Sequence, residues 1–105
     1  MKIFNLKLNS KNDYTLMVVR IPEGIESDRW SQTKATTDFE YFLVVNESSL
    51  QSNDCRSHYA YEFPKHYFNN EDSEHMPNLL GIPKEDTKEF MQNVSKKIYP
   101  YLSTI

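Results

Sequence analysis

The run Asp38–Asn46, Asp-Phe-Glu-Tyr-Phe-Leu-Val-Val-Asn, constrains this chain more than any other stretch. In an extended backbone Phe39, Tyr41, Leu43 and Val45 share one face, and Phe42 and Val44 share the other. A short segment that is apolar on both faces near its centre belongs inside a sheet rather than at its edge. A buried helical turn is the competing reading. The β-branched and aromatic content, and the short span between polar ends, favour a strand.

The rest of the chain is read around that strand. Lys2–Leu8 alternates, with Phe4, Leu6 and Leu8 on one face and Ile3, Asn5 and Lys7 on the other, as a half-buried strand does. Asn9–Asp13 is a polar turn cluster, and Tyr14–Ile21 is a second strand, so the two predict an antiparallel hairpin. Pro22 ends it. Pro22–Thr37 reads either as a long loop or as a short helix over Asp28–Thr33 capped by Ser27. Ser57–Phe63 is a further strand, with Tyr59, Tyr61 and Phe63 on one face and Pro64 at its end or on a sheet edge. His66–Phe68 reads as a short extended piece and Asn69–Asn78 as an acidic loop. Pro83 then opens a helix over Lys84–Lys97. Its carboxylates come early, its lysines late, and Phe90, Met91, Val94 and Ile98 form one apolar stripe. Pro100 clashes with the carbonyl four residues back, which predicts an end or kink near Ile98. The fold class expected is α+β: a mainly antiparallel sheet of four to five strands with a C-terminal helix packed on one face.

At 105 residues the chain is long enough for one core and too short for two. Gly24 and Gly81 are its only glycines, so the clustered glycines of a phosphate-cradling loop are absent. The net charge is −3, which argues against nucleic acid and anionic membrane as partners. The acidic residues concentrate between Ile21 and His75, while the first twenty residues are basic. Cys55 is the only cysteine, so no internal disulfide forms and a reducing cytoplasm is the expected compartment. The opening Met-Lys-Ile-Phe-Asn-Leu-Lys-Leu lacks the continuous apolar core of a signal peptide, and no apolar run spans a bilayer.

Several constellations bear on chemistry. Cys55, His58, His66 and His75 lack the paired short spacings of a zinc site, and ordinary surface histidines are the simpler account. His58, Lys65 and His66 are the residue types that cleave RNA by acid–base catalysis, but they stand in acidic surroundings that repel phosphate. Cys55 and His58 are not shown by their spacing to form a nucleophile–base pair. Glu71-Asp72-Ser73-Glu74 lacks the spaced ligands and glycine of an EF-hand calcium loop. Neither a metal nor a cofactor is expected, nor an enzymatic activity.

The same acidic segment follows Tyr59, Tyr61, Tyr67 and Phe68. Aromatic rings supply contact area and carboxylates steer a basic partner. The contact surface expected from this juxtaposition is Glu62, Tyr67, Glu71, Asp72 and Glu74, with Asp28 and Trp30 as a second contact. The alternative is a set of structural aromatics with a solvated acidic rim, and a Trp30 folded over the sheet.

In its profile of size, acidic balance and strand-then-helix order, the whole chain resembles the small immunity proteins of bacterial toxin systems, in general character those of contact-dependent growth inhibition. The resemblance is one of profile and carries no site residue with it. It implies a one-to-one complex with a cognate toxin domain, a basic nuclease, whose active site or substrate groove is covered. Other readings of the same chain are a different protein inhibitor or secretion chaperone, a small RNA-cleaving enzyme using His58, Lys65 and His66, and a small-ligand module with a pocket between sheet and helix.

Overall fold

In the computed structural model of the protein, which describes residues 1–22, 40–47 and 59–105, the strand at the centre of the sequence pattern lies at the centre of the sheet. Four strands, β1 (Lys2–Lys7), β2 (Asp13–Ile21), β3 (Tyr41–Asn46) and β4 (Tyr59–Pro64), pair antiparallel in the order β1-β2-β3-β4. The register sets Leu16 opposite Phe4, Val18 opposite Val44, and Phe42 opposite Phe63. Alternation along each strand therefore gathers Leu6, Tyr14, Leu16, Val18, Phe42, Val44 and Phe63 on one buried face. Pro64 closes β4 on the edge of the sheet, where a missing N–H breaks no ladder.

The hairpin between β1 and β2 closes through a Leu8 N–H···O=C Asn12 bond of 3.1 Å and a Lys11 N–H···O=C Leu8 bond of 3.0 Å. Lys11 takes φ 73° to make this turn. The left-handed region costs a side-chain-bearing residue about 1–2 kcal/mol.

The helical layer covers the buried face. A 3₁₀ turn (Lys65–Asn69) follows β4 directly, then α1 (His75–Leu79), a second 3₁₀ turn (Lys84–Asp86) and α2 (Thr87–Asn93). His66–Phe68 is thus a turn rather than the extended piece its composition suggested. The cause is Phe68, which swings beneath the chain to meet Phe42 and Phe63 at centroid distances of 5.7 and 6.4 Å. The acidic segment likewise ends in a helix, α1, because Met76 and Pro77 reach the core. Helix α1 stops in a Schellman arrangement: Gly81 N–H donates to Asn78 O and Ile82 N–H to Pro77 O, with Gly81 at φ 75°.

Of the two outcomes predicted near Ile98, an end or a kink, the helix is interrupted there and does not end. Beyond α2 it widens into a π-helical turn (Val94–Ile98), whose closing bond runs from Tyr99 N–H to Val94 O, and resumes as α3 (Tyr99–Leu102). Pro100 sits in the first turn of α3, where its missing N–H leaves no gap in the α ladder. The wider turn absorbs the proline that regular α geometry rejects. Phe90, Met91, Val94, Ile98 and Leu102 keep one buried stripe through the change. Asn46 is a buried polar residue on the inner sheet face. Its side-chain amide donates to Leu80 O at 2.7 Å, joining β3 to the end of α1. No helix of the described structure is long and apolar enough to cross a membrane.

Candidate functional site

The surface beyond the end of β4 is a strip of three adjoining concavities. The first, about 480 Å³, lies between Glu40, Pro64, Lys65, His66 and Tyr99. His66 also lines the second, a well of about 430 Å³ formed with Tyr67, Asn70, Ser73 and His75. Ser73 and His75 lead into the third, of about 660 Å³. One wall of that third concavity carries Glu71, Asp72 and Glu74, and the other carries Lys84 and Lys88.

Local sequence explains how each wall is held. Phe68 anchors the 3₁₀ turn from below, and Asn69 accepts a 3.1 Å bond from the Ser95 hydroxyl of the π-helical turn. Asn70 then shapes the acidic loop twice over. Its side-chain oxygen accepts from Asp72 N–H and its carbonyl from Ser73 N–H, both at 3.1 Å. This leaves the carboxylates of Glu71, Asp72 and Glu74 exposed. Tyr67 is half-buried, with its ring 6.0 Å from Phe63, 4.8 Å from His66 and 5.9 Å from His75. The lysine-bearing wall follows the Gly81 reversal, which turns the chain from α1 toward the second 3₁₀ turn.

That wall is pinned to the opposite end of the sheet by Asp86, which is 1% exposed. Its Oδ2 accepts from the Tyr14 hydroxyl at 2.6 Å and from the Asn12 side-chain amide at 2.8 Å. The hydrogen bond from Tyr14, then that from Asn12, hold the Asp86 carboxyl below the usual carboxylate range, against the opposing effect of burial. Burial, with Asp86 as hydrogen-bond partner and neighbouring charge, pushes the Tyr14 hydroxyl above the usual phenol range. A second tie runs from Asn9 N–H to the Glu89 carboxylate at 2.6 Å. The β1–β2 turn is therefore clamped to the start of the terminal helix by two carboxylates. The order of charges along that helix signals a dipole role for both, and nothing local signals the clamp.

Of the residues expected to meet a partner, Tyr67, Glu71, Asp72 and Glu74 are brought onto this one strip. Glu62 is not among them. It lies opposite Leu43 on the sheet face that points away from the helices, because it alternates with the inward Phe63. Asp28 and Trp30 lie outside the described residues, as do Cys55 and His58 and the candidate helix at Asp28–Thr33. Lys65 and His66, from the possible RNA-cleaving set, share the first concavity with Glu40 and Tyr99, and the Lys65 ammonium stands 5.8 Å from the Tyr99 ring centre. Glu40 is engaged by Arg20 at 2.7 Å in an exposed ion pair of small energetic weight. Among the described residues no group of three or more His, Cys, Asp or Glu side chains converges as a metal site would require.

The contact surface expected from the sequence omits Asn70, Ser73, His75, Lys84 and Lys88, which also line the strip. His75 directly follows the acidic segment and Lys88 follows Lys84 at helical spacing, but only the Gly81 reversal sets the two walls face to face. Comparison with family models, with curated proteins and with solved structures finds no match to this chain.

Proposed function

We propose that this chain is a protein-binding domain of the immunity type, neutralising a cognate bacterial toxin domain, a basic nuclease, by covering its active site or substrate groove in a one-to-one complex. The observation that carries the reading is the acidic wall. Glu71, Asp72 and Glu74 are exposed, held by the Asn70 turn, and adjoin the aromatic well around Tyr67. A nuclease surface is basic because it binds phosphate, and a carboxylate cluster meets the same surface with the same sign of charge. Lys84 and Lys88 across the concavity give the charge pattern a direction, so a partner is oriented as well as attracted. The protein acts by occlusion, and no chemistry of its own is required.

The test is reconstitution. A nuclease domain that forms a one-to-one complex by native mass spectrometry should lose activity on addition of this protein. Reversing charge at Glu71→Lys, Asp72→Lys and Glu74→Lys together should slow association at low salt by about tenfold or more, the range of electrostatic steering. The fold should survive, since exposed substitutions typically shift stability by about 0.5 kcal/mol or less. An unchanged association rate removes this wall from the interface. A saturated complex that still cleaves its substrate removes occlusion.

A further inference from the structure

The middle well of the strip has a composition unlike its neighbours. It is lined by His66, Tyr67, Asn70, Ser73 and His75, with no lysine or arginine. The three rings meet edge to face, Tyr67 lying between the two histidines at 4.8 and 5.9 Å, with interplanar angles of 66° and 68°. We infer that this well receives the guanidinium of an arginine on the protein partner, stacked on Tyr67 between His66 and His75. The inference rests on the reading of the chain as a partner-binding domain and names the side chain that enters it.

Charge complementarity selects a cation. Glu71 and Asp72 lie between the lining residues Asn70 and Ser73 in the chain, and Glu74 lies between Ser73 and His75, so three carboxylates stand close beside the well. The nearby lysines do not line it. Lys65 stands over Tyr99 beyond His66, and Lys84 and Lys88 occupy the far wall of the acidic concavity. An aromatic face attracts a cation through its ring quadrupole. The acceptors select arginine over lysine. The Asn70 side-chain oxygen takes one bond, from Asp72 N–H, and keeps a second lone pair, while Ser73 adds a hydroxyl. A planar guanidinium can stack on the ring and donate sideways to both, which a compact ammonium cannot do together.

The probe is N-acetyl-L-arginine amide, titrated into the full chain and followed by the ring signals of His66, Tyr67 and His75 in NMR spectra. N-acetyl-L-lysine amide is the control. The arginine probe should give saturable shifts of those rings, with the lysine probe weaker by about two- to tenfold, the worth of the one hydrogen bond the ammonium forgoes. Tyr67→Leu keeps an apolar contact to Phe63 and should weaken arginine binding by a similar factor, and Tyr67→Phe should restore it. Amide spectra of both variants report whether the fold is kept. Equal binding of the two probes, or arginine binding untouched in a folded Tyr67→Leu protein, overturns the inference. So does a response confined to Glu71, Asp72 and Glu74. These outcomes need no toxin. A failed well beside an intact, charge-sensitive toxin complex refutes this inference alone, and a working well with no nuclease inhibition refutes the immunity reading alone.

Discussion

Removing the Asp86 carboxylate should be among the most damaging single changes to this fold. Asp86 is 1% exposed and takes two hydrogen bonds on one oxygen, at 2.6 Å from Tyr14 and 2.8 Å from Asn12. Bonds to a charged acceptor contribute about 1.5–3 kcal/mol each. The two do not add fully, because they share one oxygen and because desolvating the carboxylate opposes them. Asp86→Ala also leaves the buried Tyr14 hydroxyl without its acceptor. The loss expected is about 2–4 kcal/mol, a large part of the stability of a small domain. Tyr14→Phe removes a donor and leaves no unsatisfied hydroxyl, so it should cost about 1–2 kcal/mol. A double-mutant cycle between the two should show a coupling of about 1–2 kcal/mol. Urea unfolding at pH 7, with a common slope across variants, measures all three. The pH dependence has a definite sign. Asp86 has a lowered folded-state pKa, so its contribution is complete above its unfolded value of about 4 and is lost as pH falls through the folded value. The difference between wild type and Asp86→Asn should therefore hold at neutral pH and narrow in acid. An Asp86→Ala protein within about 0.5 kcal/mol of wild type, or zero coupling to Tyr14, would refute the clamp.

Two further outcomes follow from backbone geometry. Lys11 at φ 73° carries left-handed strain, and Lys11→Gly should raise the urea midpoint, by about 0.5–1 kcal/mol of stability after the added freedom of the unfolded chain is subtracted. Gly81→Ala should destabilise by about 1–2 kcal/mol, since φ is 75° and the added Cβ would lie 2.7 Å from the Tyr59 ring. Because Gly81 also reverses the chain between the two walls of the large concavity, the same variant should weaken any complex made there, measured as a faster dissociation rate. An unchanged rate in a folded Gly81→Ala protein would show that the wall spacing has slack.

The sequence by itself determined the elements whose burial follows a simple period. Alternation in Lys2–Leu8 and Tyr14–Ile21, the doubly apolar Asp38–Asn46 run and the 3.6-residue stripe from Phe90 to Ile98 were legible because one face of each must leave water. Together with the alternation in Ser57–Phe63, those patterns were enough to specify a mainly antiparallel sheet of four to five strands with a terminal helix on one face, and the structure has four. Patterns of this kind are local, and the misread segments are those where a distant contact outweighed the local signal. Phe68 curls its segment into a turn to reach Phe42. Met76 and Pro77 draw a polar, acidic stretch into a helix. The break that Pro100 predicts near Ile98 was legible, though not its form as a π-helical turn. The site was legible only as residue types. Tyr67 and the three carboxylates stand close in sequence and line adjoining concavities. Glu62 alternates to the other face by the two-residue period of a strand. The second wall, with Lys84 and Lys88, depends on the reversal at Gly81. That wall is held by Asp86 against Asn12 and Tyr14, more than seventy residues away. Whether a carboxylate decorates a helix or locks two ends of a chain together depends on what folding places beside it, and only the tertiary structure decides that.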